Sequence, residues 1–362
     1  MPIKDRVKNI VLGSLALFII YFFIATKRLN NDLYFFPLWS SSIEKDVELI
    51  DSDENTNKLS NAKLYPFLIK NKFGYFSEDG KILFSHEITG KVTASSNYWC
   101  QYEFDCHEAH IYEPNGKIAG VIKVAGFPYI VDNKIYIFTP GGYGVCEYSV
   151  NGKRLWHYAH TAAITAFNCS KKGVVIGYSD GKVVYLDERG NEVFNLYPGG
   201  STYEVISGVA LSNDGVFIAC ISGIEKQRVL LIRIIEKQYK IVKHEYLKGN
   251  LYRNVFVSFD KDSSSVIFES SDGIGIINCK NYQLHFLDET GEIIDIGDRL
   301  GGNLITILTK NYDSCKLFVI EKPFRKLAST SFNSKDVFLL QDEKKIFLGT
   351  VGNISAIEIK KG

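Results

Sequence analysis

Methionine occurs once in this chain of 362 residues, and long runs of helix-forming residues are missing from its body. Phe and Tyr are plentiful instead, at 24 and 21, so the composition favours strands over helices. Neither charge sign dominates. Outside the first 28 residues the chain carries 37 basic against 40 acidic residues, which leaves no basic footprint for nucleic acid. The seven cysteines are odd in number and scattered, with no adjacent pair and none before Cys100. That spread excludes a lipid-attachment cysteine near the N-terminus and reads as small apolar core residues rather than a framework of bridges. Phosphate-cradling loops are absent. The histidines His86, His157, His160, His244 and His285 have no Ser or carboxylate at a suggestive spacing.

What the chain has is a repeat. Gly80-Lys81-Ile82-Leu83-Phe84, Gly116-Lys117-Ile118-Ala119-Gly120, Gly152-Lys153-Arg154-Leu155-Trp156 and Gly190-Asn191-Glu192-Val193-Phe194 follow one another at intervals of 36, 36 and 38 residues. Each comes after an apolar run and a polar turn. A strand-rich period of that length predicts an all-β chain of stacked four-stranded units, a β-propeller. About 300 residues without a composition break fit a ring, because each blade packs only on its neighbours and the core grows without thickening.

Only one long apolar run exists, Ile10 to Ala25, flanked by Lys4, Arg6 and Lys8 before it and Lys27 and Arg28 after it. Its length and flanks predict an uncleaved transmembrane helix, since the residues after Phe23 make a poor cleavage site. The three basic residues before it put the N-terminus in the cytoplasm and the propeller outside, periplasmic or on the cell surface. Residues 1–28 are then an anchor, 29–61 a juxtamembrane tether, and 62–362 the propeller. Within the tether, Phe35 to Trp39 form an aromatic cluster suited either to lipid headgroups or to the underside of the propeller.

The clearest blade has strands at Ile164 to Cys169, Val174 to Tyr178, Lys182 to Leu186 and Glu192 to Leu196, joined by turns through Ser179-Asp180-Gly181 and Asp187-Glu188-Arg189-Gly190. The template extends to Val92–Ile122, Phe127–Tyr158, Gly208–Glu245, Asn254–Leu287 and Ile293–Ser331. One ambiguity stands at the sixth unit, where Ser271-Asp272-Gly273 and Leu287-Asp288-Glu289-Thr290-Gly291 both match the template blade, in incompatible registers. Three strands at Tyr65 to Ile88 and three at Val337 to Ile359 remain, so seven or eight blades fit, eight the better, with strands from both termini closing the ring.

Cys146 to Trp156, CEYSVNGKRLW, resembles the blade motif of the PQQ-like propeller family, in which a Gly is followed four residues on by a Trp that docks between blades. Phe84 and Phe194 hold the corresponding place, while Cys146 and Tyr148 depart from the family's usual Ala and Asp. Other units, such as Ser212 to Ala219, are as similar to WD-repeat strands, although no Trp-Asp dipeptide occurs. The resemblance to PQQ-like propellers implies two possible roles. One is that of the scaffold subunit of outer-membrane protein assembly, which is lipid-anchored where this chain lacks the cysteine. The other is that of quinone-dependent enzymes, whose pocket implies calcium and commonly a pair of adjacent cysteines, absent here; no cofactor is expected.

Cys100, Cys106, His107 and His110 are ligand types for zinc, but the strand spacing separates Cys100 from the turn holding Cys106 and His107, so no metal site is expected. What remains is surface. The turns between second and third strands and the links between blades gather on one face of a propeller. These loops contain Tyr143, His160, Tyr197, Tyr203, Tyr252 and Arg253, residue types that dominate binding hot spots. The reading is a non-catalytic scaffold that binds other envelope or membrane proteins. The alternative is an extracytoplasmic hydrolase or quinone-dependent oxidoreductase acting on a small molecule or sugar.

Overall fold

The computed structural model describes residues 15, 21, 33–47, 63–104, 106–235, 238–298, 303–343 and 345–361. The predicted membrane helix over Ile10 to Ala25 falls outside the described residues apart from Leu15 and Tyr21. Among the described residues no helix is long and apolar enough to cross a membrane.

Among the described residues the repeats fold into eight antiparallel sheets, seven of four strands and one of three. Blades 2 to 7 each use four consecutive strands, running Lys91–Ile122, Phe127–Ala159, Ile164–Leu196, Ile206–Tyr246, Val257–Leu287 and Glu292–Asn333. Blade 1 is the three-stranded sheet Leu64–Ile69, Lys72–Ser77 and Ile82–Glu87, with Val47 bridging to Ser85 at its edge. Blade 8 combines Val337–Asp342, Lys345–Thr350 and Asn353–Lys361 with an outer strand from the other end of the chain, Leu33–Ser42.

That outer strand redraws one expected boundary. Residues 29–61 were expected to form a tether, yet Leu33–Ser42 pairs with Asn353–Lys361 from Leu33↔Lys361 to Ser42↔Asn353. The segment is rich in aromatic residues and offers an edge that the last sheet needs. Its side chains divide accordingly. Phe35 and Trp39 pack inward on two seams, while Tyr34 and Phe36 point out.

Every seam is filled. Eight apolar clusters of buried residues lie one between each neighbouring pair of blades, and the one joining blade 8 to blade 1 contains Ile43, Tyr65, Phe67, Phe76, Phe347 and Ile354. The ring is therefore closed by the same burial that stacks its members, rather than by a single clasp.

The repeated glycine has a physical reason. Gly190, in the last turn of blade 4, has φ +77°, and a Cβ there would run into the indole of Trp156 from the outer strand of blade 3. Gly80 of blade 1 has φ +86° and faces Trp39 of blade 8 in the same way. Trp156 thus docks between blades as the family resemblance implies, and Trp39, expected either at lipid headgroups or against the propeller, packs on the propeller and takes the same post at the closing seam. Phe84 and Phe194 are buried in the next seams along. Gly80 also sets the register of blade 1, whose three strands answer to the outer three of the others.

The sixth unit is resolved too. Ser271 and Asp272 join Ser265–Ser270 to Gly273–Asn278, the second and third strands, as Ser179 to Lys182 do in blade 4. Leu287 to Gly291 is instead the link to blade 7, so its likeness to Leu186 to Gly190 is accidental.

Candidate functional site

All six residues chosen from the sequence lie on one rim. Tyr143 follows the short turn Pro140–Gly142 between the second and third strands of blade 3, and His160 sits in the link from blade 3 to blade 4. Tyr197 and Tyr203 share the link from blade 4 to blade 5, Tyr252 and Arg253 the link from blade 5 to blade 6.

The structure joins three of them around a residue the sequence reading used only as a turn former. The Tyr143 carbonyl accepts the His160 backbone N–H at 2.9 Å. His160 Nε2 lies 2.7 Å from Asp180 Oδ2, and the same carboxylate acts electrostatically on the Tyr197 hydroxyl. Burial pushes the Asp180 carboxyl up, but hydrogen bonds from His160 and from the Lys182 backbone N–H carry it below the usual range. Slight desolvation, then the charge and acceptor of Asp180, push the Tyr197 hydroxyl up. The edge of the His160 ring meets the Tyr178 ring with centroids 4.8 Å apart. Next to this group the Tyr158 hydroxyl donates to Glu192 at 2.7 Å and receives Lys182 Nζ at 3.4 Å. His160 is thereby held on three sides, a post that fixes the link in place, while the Tyr197 ring stays half-exposed.

Arg253 is also committed. Its Nη1 donates to Glu269 Oε2 at 2.6 Å, and Glu269, itself 1% exposed, further accepts the backbone N–H groups of Phe256 at 3.2 Å and of Ile293. One carboxylate in blade 6 thus ties the incoming link to blade 7. Tyr203 and Tyr252 project from their links, and among the described residues no hydrogen bond or ring contact joins Tyr252 to the Tyr143 group.

Asp180 and Glu192 were missed because their partners come from other strands: Asp180 stands 20 residues from His160, and Glu192 stands 34 from Tyr158. The signal for Asp180 was its place in a Ser-Asp-Gly turn, which hairpin geometry alone explains. Arg228 was missed as well. It opens an apolar strand, where an arginine reads as a solvated end, yet it is 5% exposed.

The zinc-type cluster is spread out in space. Cys100 is buried in the second strand of blade 2, Cys106 donates to the Glu108 carbonyl at 3.5 Å within the following turn, and His110 is on the third strand. Among the described residues no group of three or more His, Cys, Asp or Glu is placed to hold a metal ion. All seven cysteines are free, and burial pushes the thiols of Cys100, Cys220 and Cys279 up to about 12. These three are unreactive core residues, while Cys106 and Cys169 are only partly buried.

The whole chain, residues 1–362, matches the family described as beta-propeller protein. This chain is a member of that family. A protein of Treponema pallidum (strain Nichols), described as uncharacterized, is 34% identical over 362 residues, covering 99% of this chain and 96% of its own length. Among solved structures the propeller is similar to BamB from Moraxella catarrhalis, with TM-score 0.60, 11% identity, and coverage of 90% of this chain and all of the other. It is also similar to Chaetomium thermophilum Sqt1 bound to the N-terminus of the ribosomal protein L10, with TM-score 0.57, 13% identity, and coverage of 80% and 89%. At those identities the likeness is one of fold.

Proposed function

We propose that this propeller is a non-catalytic scaffold, held outside the cytoplasm by Ile10 to Ala25, that binds other envelope or membrane proteins through its tyrosine rim. The observation that carries this reading is the exposure of Tyr143, Tyr197, Tyr203 and Tyr252, at 50, 50, 56 and 77%, on loops of a single face. Large amphipathic rings on a rigid frame give contact area at low entropic cost. Polarity of the ring supports it further. Leu33 pairs with Lys361 at the rim opposite the tyrosines, and Ser42 with Asn353 on the tyrosine side. Seven residues separate Ala25 from Leu33, a reach of at most about 25 Å. An anchor there holds the far rim toward the lipid, with exposed Tyr34 and Phe36 suited to headgroups, and leaves the tyrosine rim turned outward. The Sqt1 structure, a propeller bound to the end of another protein, is a precedent for such a use of the fold.

Crosslinking in intact cells, with the anchor in place, tests the reading. Tyr197→Ala with Tyr203→Ala is expected to remove captured partners while the melting temperature holds; an unchanged set of partners would overturn it. The enzyme reading has its own place, a cavity of about 570 Å³ on the opposite rim lined in part by Asp132, Asn133, Asn213 and Asp298. A sugar or quinone that raised the melting temperature of wild type and not of Asn133→Leu would favour that alternative.

A further inference from the structure

Arg228 opens the third strand of blade 5, beneath the link that carries Tyr197 and Tyr203. Its Nη1 lies 3.3 Å from His244 Nε2, and its guanidinium carbon is 5.8 Å from the centre of the Tyr246 ring. Nε and Nη2 are buried with no hydrogen-bond partner, and among the described residues no carboxylate lies within ion-pair distance. These two N–H groups share one edge of the guanidinium, the parallel pair that a carboxylate accepts bidentately.

Several buried hydroxyls lack a partner as well, Ser222 Oγ on the paired strand among them, but among the described residues Arg228 is the one charged side chain left so. Its neighbour Gln227, 0% exposed, has its amide matched on both ends: Oε1 accepts the Leu251 N–H at 3.1 Å, and Nε2 donates to the Leu251 carbonyl at 3.2 Å. An unpaired buried charge opposes folding, and arginine has no neutral form to retreat to. Burial and the charge of Arg228 hold the His244 imidazole below its ordinary range, so His244 stays neutral and adds no second charge at neutral pH. Overhead, Gly199 and Gly200 have φ +65° and +81°, and a Cβ on Gly200 would run into Arg228 Nη1. The Pro198 to Ser201 turn thus lies against the guanidinium.

We propose that Arg228 is the receptor for a carboxylate on an acidic side chain of a protein partner, admitted when the Pro198 to Ser201 turn lifts. This deepens the rim reading and rests on it. Tyr203 and Tyr246, 56 and 51% exposed, flank the entry and give the rest of a polypeptide an apolar seat, which favours a protein-borne carboxylate over a free one.

The test uses the full chain immobilised in detergent and a random library of capped dodecapeptides with glutamate fixed at the centre, beside the same library with glutamine. The glutamate library should be retained at least tenfold better, and the advantage should vanish on Arg228→Met and on Arg228→Lys, which keeps the charge but loses the fork. Both variants should melt at or above the wild-type temperature. Equal retention of the two libraries, an advantage that survives Arg228→Met, or a melting temperature several degrees lower in both variants would overturn the proposal. Acetate alone shifting the melting temperature as much as a selected peptide would overturn the choice of a protein partner. Partners captured in cells that are lost in the Tyr197 and Tyr203 variants but kept in Arg228→Met would leave the rim reading standing and this one refuted.

Discussion

Two arginines on the same rim are treated in opposite ways. Arg253, with 40% of its side chain exposed, meets a carboxylate that is itself buried, and that carboxylate gathers two further backbone donors from blades 6 and 7. Arg228, at the start of the third strand of the blade before that link, is nearly fully buried and meets none. The first is a structural knot, a charge pair completed by the chain itself. The second is a half-made pair, and a fold that satisfies Gln227 beside it has left the other half to be supplied. Asp295 on the inner strand of blade 7 is a third case. Burial pushes its carboxyl up to about 7, so it sheds its charge by taking a proton, an exit that arginine lacks.

The sharpest test of this contrast is removal of the two partners. Glu269→Ala strips the acceptor from Arg253, Phe256 and Ile293 and is expected to cost about 3–5 kcal/mol, read from urea unfolding. Arg228→Met should cost nothing in the same assay; comparable losses would erase the distinction.

Asp295 separates the two kinds of unpaired charge by pH. Its folded value lies above the unfolded one of about 3.9, so its contribution to stability is full below about pH 4 and is lost as pH rises toward 7. Asp295→Asn should flatten that slope, which reaches at most about 1.4 kcal/mol per pH unit, whereas Arg228→Met should leave it in place.

Gly200→Ala should lower stability by about 1–2 kcal/mol, from the positive φ and the encounter with the guanidinium together. Repeated in an Arg228→Ala background, only the first part remains, and a double-mutant cycle isolates the second. If the two changes add without coupling, the turn does not lie on Arg228.

The smallest effect belongs to Asp180 on the other side of the link. Its lowered value means that its contribution is present above about pH 4 and lost as pH falls through the folded value. Asp180→Asn should therefore lower stability at neutral pH and remove the acid-side loss, visible in thermal melts between pH 2 and 5.

Much of the ring was legible in advance for a local reason. Hairpin turns and the seam glycine act over a few residues, so Ser179 to Gly181 and the Gly to Trp spacing at 152–156 announce a blade without any knowledge of its neighbours. The register of the sixth unit was not legible, because two equally good local matches compete and only the pairing of Ser265–Ser270 with Gly273–Asn278 decides between them. The same limit hid the strand at Leu33–Ser42, whose partner is over 300 residues away. At the rim, the exposed tyrosines were found from residue type and loop position, while the fixing of His160 by Asp180 and of Arg253 by Glu269 was not.

The sequence by itself determined the strand period, the turns and the Gly to Trp spacing at 152–156, because each is a property of one short stretch of chain. Tertiary structure alone decided which charges are answered. Whether Arg253 finds Glu269 and Arg228 finds nothing depends on how eight sheets converge at one rim, and no short stretch contains both partners.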